Sequence, residues 1–181
     1  KRIYLGNEGD ITFDGTLAVV NSASATNSQI YMADGGNSTI SIKGNATFTN
    51  SPTGGTSTQM YLGDDGDVTF EGTLDLINNS GTTNSEIRLN RSSTSANVYN
   101  GDITVQSINT NCDGIYFGRD GGSGVLASTA TISIPSGGAT NFIGGDLYFR
   151  NFSYLGTTAV TLELPSTATY VYNYNSDWGG D

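Results

Sequence analysis

The sequence predicts a right-handed parallel β-solenoid of about six three-stranded coils, on three observations. Segments of 27–32 residues repeat along the chain, apolar residues inside each segment have period two, and Gly, Asn and Asp punctuate the corners between them. Residues 3–29 align without a gap to residues 60–86 at an offset of 57, with 14 of 27 positions identical. A more diverged copy, residues 30–59, lies between them, so the offset is two units rather than one. Unit starts fall at Ile3, Ile30, Met60, Ile87, Ile115 and Leu147.

Each element follows from the period-two pattern. Ile3 and Leu5 flank Tyr4, Ile11 and Phe13 flank Thr12, and Leu17 and Val19 flank Ala18. Alternate side chains of a strand point to opposite faces, so each triplet is a short strand with one buried side. Gly6, Gly9 and Gly15, beside Asn7, Asp10 and Asp14, supply tight corners between the strands. Three strands and three corners make one turn of a triangular coil. A β-sandwich also uses short alternating strands, but it does not explain similarity recurring once per three strands. Right-handedness rests on the usual chirality of parallel crossovers.

Stacking the units predicts core columns. The first is Ile3/Ile30/Met60/Ile87/Ile115/Leu147 and the second Leu5/Met32/Leu62/Leu89/Phe117/Phe149. The third is Phe13/Ile42/Phe70/Val105 and the fourth Leu17/Ala46/Leu74. Thr12, Ser41, Thr69 and Thr104 form an outward hydroxyl column. Asn21, Asn50 and Asn78, with Asn109 as a fourth, end the third strands and stack as an amide ladder. The solenoid domain covers residues 1–154. Residues 155–181 depart from the repeat, with strands over 161–165 and 170–174 and a polar Trp178–Asp181 tail, and form a cap or assembly segment. The first coil begins almost at once, at Ile3, so either more chain precedes it or another subunit pairs there. The second option is head-to-tail polymerisation.

Composition narrows the function. Seven basic against 17 acidic residues give a net charge of −10, which argues against nucleic acid and anionic membranes as partners. No run approaches the roughly 20 apolar residues of a spanning helix. Histidine is absent, removing the commonest general base. The single Cys112 allows no internal disulfide and reads as a small buried residue. The chain is therefore expected not to be an enzyme.

The outward position of the first strand carries Tyr4, Tyr31, Tyr61, Arg88, Tyr116 and Tyr148. Such a ladder stabilises adjacent strands, packs against a second solenoid in a fibre, or stacks on sugar rings. The corner after the first strand is acidic, with Glu8 and Asp10 in one coil and Asp64, Asp65 and Asp67 two coils on. Clustered carboxylates with turn carbonyls can hold calcium, although the spacing fits neither an EF-hand loop nor a glycine-aspartate nonapeptide repeat, and a solvated turn is the simpler reading. No other cofactor is expected. Asn-X-Ser/Thr sequons occur at Asn37, Asn45, Asn78, Asn90 and Asn151.

The run Gly-Asp-[Ile/Val]-Thr-Phe-x-Gly-Thr-Leu at residues 9–17 and 66–74, with its Asn-ended turns, resembles bacterial surface adhesins and autotransporter-passenger β-helices. The resemblance covers residues 3–114 well and 115–160 loosely. It implies an exported, extracellular or cell-surface structural subunit that associates with itself or binds surface glycans. Pectin-degrading β-helix enzymes share the fold class, and Asp64-Asp65 and Asn109-Thr110-Asn111 resemble fragments of their site, but histidine and the Arg-x-Lys motif are missing, so a polysaccharide-degrading enzyme is the least favoured alternative.

Overall fold

The computed structural model describes residues 1–135, 141–157 and 171–178. It is an all-β solenoid of about six turns, and its three parallel sheets correspond to the three strands of each coil. Coil 1 holds β1 (Arg2–Leu5), β2 (Ile11–Phe13) and β3 (Leu17–Asn21); coil 2 holds β4 (Gln29–Met32), β5 (Thr39–Ile42) and β6 (Ala46–Asn50). Coil 3 holds β7 (Gln59–Leu62), β8 (Asp67–Phe70) and β9 (Leu74–Asn78); coil 4 holds β10 (Ser85–Leu89), β11 (Ala96–Tyr99) and β12 (Ile103–Ser107). Coil 5 holds β13 (Cys112–Phe117), β14 (Ser123–Leu126) and β15 (Ile132–Ser133), and coil 6 holds β16 (Asp146–Arg150) and β17 (Phe152–Tyr154). A last strand, β18 (Val171–Tyr174), pairs with β16.

The first, second and fourth predicted columns are register partners as expected. The third is corrected at its last member: Phe70 pairs with Tyr99, while Val105 pairs with Leu76 in the third sheet. The hydroxyl column changes in the same way, because Thr69 faces Val98 and Thr104 faces Asp75. The cause is β11, whose inward positions are Asn97 and Tyr99 rather than two aliphatics. Burying an amide requires partners, and Asn97 has them: it donates to Leu62 O at 2.9 Å and accepts from Val68 N at 2.9 Å. Tyr99 donates to Asn90 Oδ1 at 2.9 Å and stacks on Phe70 at 5.5 Å.

The amide ladder forms inside the third corner. Asn21 donates to Asn50 Oδ1 at 3.1 Å, and Asn50 to Asn78 Oδ1 at 3.3 Å. Its fourth position is Ser107, the register partner of Asn78, and not Asn109. Asn109 lies two residues further on, where its carbonyl oxygen Oδ1 accepts from Asn111 N. Beside the ladder, Cys112 is the register partner of Ser85; its thiol donates to Asn78 O at 3.3 Å, and burial foremost pushes its pKa up. It is the buried small residue expected from sequence.

The two ends differ. At coil 1, Ile3 and Val20 are 56% and 58% exposed. At the other end β18 extends the first sheet, and Trp178 packs on Phe149 at 4.9 Å and on Phe152 at 5.4 Å. The strand expected over 161–165, Tyr170 and Gly179–Asp181 fall outside the described residues.

Candidate functional site

The outer face of the first sheet carries the predicted ladder, and the structure adds a seventh rung. Tyr4, Tyr31, Tyr61, Arg88, Tyr116 and Tyr148 are successive register partners, and Tyr148 faces Tyr172 of β18. The parallel pairing that sets the rungs also brings ring onto ring. Tyr4–Tyr31 and Tyr31–Tyr61 centroids lie 5.1 and 4.8 Å apart, Tyr116–Tyr148 6.2 Å and Tyr148–Tyr172 5.6 Å. Arg88 fills the gap, 6.0 Å from the centroids of both Tyr61 and Tyr116.

The strip is not the open aromatic surface that alternation alone suggests. Tyr31 is 8% exposed, and Tyr61 and Tyr116 are each 5% exposed, whereas the end rungs Tyr4 and Tyr172 are 43% and 44% exposed. Stacking consumes the ring faces along the axis, and arginines cover them from outside, two from the neighbouring corner and one from β1. Arg91 lies 4.8 Å from the Tyr61 centroid, Arg119 4.4 Å from Tyr116 and Arg2 5.8 Å from Tyr31. Such contacts strengthen when desolvated. Burial foremost pushes the Tyr61 and Tyr116 hydroxyls up to about 12.

Arg88, Arg91 and Arg119 belong to an ion-pair network that sequence reading missed. Arg91 Nη1 is 2.7 Å from Oδ1 of Asp64, and Arg88 Nε is 2.9 Å from Oε1 of Glu86. Asp120 joins the two, at 2.7 Å from Arg88 and 3.7 Å from Arg91, and Arg119 approaches Glu86 at 3.5 Å. Asp64 and Glu86 are buried, so desolvation foremost raises both carboxyl pKa values despite the arginines, Asp64 to about 6 with Asp34 adding to the rise. A side-chain relay runs beside the ladder. Arg2 donates to Gln29 at 3.0 Å, Gln29 to Gln59 at 2.7 Å and Gln59 to Glu86 at 2.9 Å. Every donor points the same way, an arrangement in which hydrogen bonds polarise one another.

The acidic corner is dispersed by the fold. Asp64 is not in a solvated turn but buried against Arg91. Asp10 accepts from Thr39 N and Oγ1 at 3.2 and 2.5 Å, and Asp67 accepts from Ala96 N at 2.7 Å. Glu8 and Asp65 are exposed. Asp10 and Asp67 are separated by a whole coil, and among the described residues no group of three or more carboxylates or thiols converges as a metal-binding cluster. Of the sequons, Asn78 and Asn90 are fully buried, while Asn37 and Asn45 are exposed.

Compared with models of known protein families, with curated proteins and with solved structures, the chain matches none.

Proposed function

We propose that this chain is a rigid structural segment of an extracellular bacterial surface or fibre protein, and that it performs no catalysis. The observation that carries the reading is the covered ladder: its inner ring faces stack on one another and on arginines, and so serve cohesion between coils. A rod stacked coil on coil transmits load and sets a distance, and its Ser/Thr/Asn-rich, acidic surface suits an aqueous exterior. Glycan binding on the ladder finds less support, since a sugar ring needs an open aromatic face and the inner tyrosines lack one. End-to-end joining of identical copies is also less favoured, because β18 ends the first sheet without, among the described residues, a matching strand in the other two for a first coil to stack on.

Protease shaving of intact source cells tests the proposal. Peptides of this chain released without lysis are the expected result, and peptides found only after lysis would contradict it. A glycan array with the intact chain tests the lesser reading. Binding that Tyr4→Ala abolishes, with folding unchanged, would favour an adhesin.

A further inference from the structure

Two corner columns alternate from coil to coil. At the start of the second strand the column reads Asp10, Thr39, Asp67, Ala96, Ser123; before the third it reads Thr16, Asn45, Thr73, Asp102, Thr131. Each Asp or Asn accepts a backbone N–H from the next coil. Asp10 bonds Thr39 and Asp67 bonds Ala96 at the first corner; Asn45 bonds Thr73 at 3.2 Å and Asp102 bonds Thr131 at 2.8 Å at the second. Across coils 1–4 the acceptor thus sits at the first corner in odd coils and at the second in even coils, and coil 5 has Ser123 at its first corner. The alternation gives the 57-residue sequence repeat a physical basis, since two coils are needed to restore the pattern.

Coil 1 shows the receiving half of such a joint. Among the described residues no acceptor meets Thr16 N–H, which holds the position that Thr73 and Thr131 hold beneath Asn45 and Asp102. Asn21 Oδ1 holds the position at which Asn50 and Asn78 accept an amide from the preceding coil. Ile3 and the outer face of Tyr4 extend the first core column and the ladder. We infer that this face is a docking surface for an in-register β-coil of the even type, supplied by another solenoid segment rather than by a second copy of this chain. An even coil places an Asn or Asp over Thr16 and an uncharged residue, Thr or Ala, over Asp10. An odd coil sets Asp against Asp10 and leaves Thr16 uncapped, and like charges directly opposite destabilise a sheet. In a second copy, coils 1–5 are covered on their following face by their own neighbours, and beyond coil 6 the edge strand β18 has, among the described residues, no partner strand in the second or third sheet to complete a coil.

Two extended chains test this. In one, residues 30–57 are placed directly before Lys1, which continues the register because Gln59, Gln29 and Arg2 are successive partners. In the other, residues 60–84 take the same place, by the pairing of Glu86 with Gln59. The even extension is expected to raise Tm above the parent and to protect the β1–β3 amides from exchange. It should melt at least about 3 °C above the odd extension, the shift expected for a change near 1 kcal/mol in a chain of this size. Changing the added copy of Asn45 to Ala should remove most of that advantage, and changing the added copy of Asp67 to Thr should improve the odd extension. An odd extension as stable as the even one, an even extension no more stable than the parent, or a parent that sediments as an oligomer would each overturn the inference.

Discussion

Arg91 holds the buried carboxylate of Asp64 at 2.7 Å while its guanidinium lies 4.8 Å from the centre of the Tyr61 ring, so one side chain joins the ion-pair network to the aromatic ladder. The contact crosses from coil 4 to coil 3. Removing one partner of a buried pair strands the other, which makes this pair a sensitive probe of how the coils are held together.

The same carboxylate predicts a pH dependence. Asp64 is raised from an ordinary 3.8 to about 6, and Glu86, Asp113 and Asp146 are also raised, burial being foremost for each. A folded pKa above the unfolded one gives stability that is complete below the unfolded value and lost as pH rises through the folded value. Tm should therefore increase as pH falls from 7 towards 4. In Asp64→Asn the increase between pH 7 and 5 should shrink, as thermal melts across that range will show; equal slopes in both proteins would refute the assignment.

The amide ladder predicts a large effect at its middle. Asn50→Ala leaves the Asn21 amide and the Asn78 carbonyl oxygen without their ladder partner and opens a cavity, at about 2–4 kcal/mol. The exposed neighbour Asn79→Ala should lie within about 0.5 kcal/mol of the parent. Denaturant midpoints at unchanged slope provide the comparison.

Glycine predictions separate backbone from packing. Gly63 has φ +77°, and a Cβ there would sit 2.3 Å from Asn97 Oδ1, the atom that accepts from Val68 N. Gly9 has φ +95° with nothing within 4 Å. Gly9→Ala should cost the backbone penalty of about 1–2 kcal/mol. Gly63→Ala should exceed it, because Asn97 must leave its buried bonds as well. Similar losses for the two in chemical denaturation would contradict the buried network.

The ladder predicts that its rungs are unequal. Tyr61→Ala should cost about 3–5 kcal/mol, as for other buried aromatics, and Tyr4→Ala clearly less, since Tyr4 is nearly half exposed. Equal losses in parallel melts would show that the inner rings are not covered as described.

Much of this was legible in the sequence because period two and a repeat together determine register. Three of four core columns followed from spacing alone, as did the six rungs from Tyr4 to Tyr148. Reading failed where the inward residues are polar. Asn97 and Tyr99 hid β11, which shifted Val105 and Thr104 into the wrong sheet, and Ser107 in place of asparagine hid the end of the amide ladder. The ion pairs were illegible for another reason: Arg91 and Asp64 are 27 residues apart and meet only once coils 3 and 4 are stacked. Tyr172 did leave a signal, since Val171-Tyr172-Asn173 keeps the spacing of Ile3-Tyr4-Leu5, but it follows a stretch in which the repeat is lost.

Native-state hydrogen exchange tests most directly the claim that this is a rigid structural segment and not a binding module. Binding surfaces are drawn from the locally unstable parts of a fold. A cohesive rod predicts that strand amides of coils 2–5 open with similar free energies in all three sheets, with faster opening only towards the ends. If the first sheet, beneath the Tyr31–Tyr61–Tyr116 face, instead opens at a markedly lower free energy than the other two, that face is mobile and the structural account is wrong.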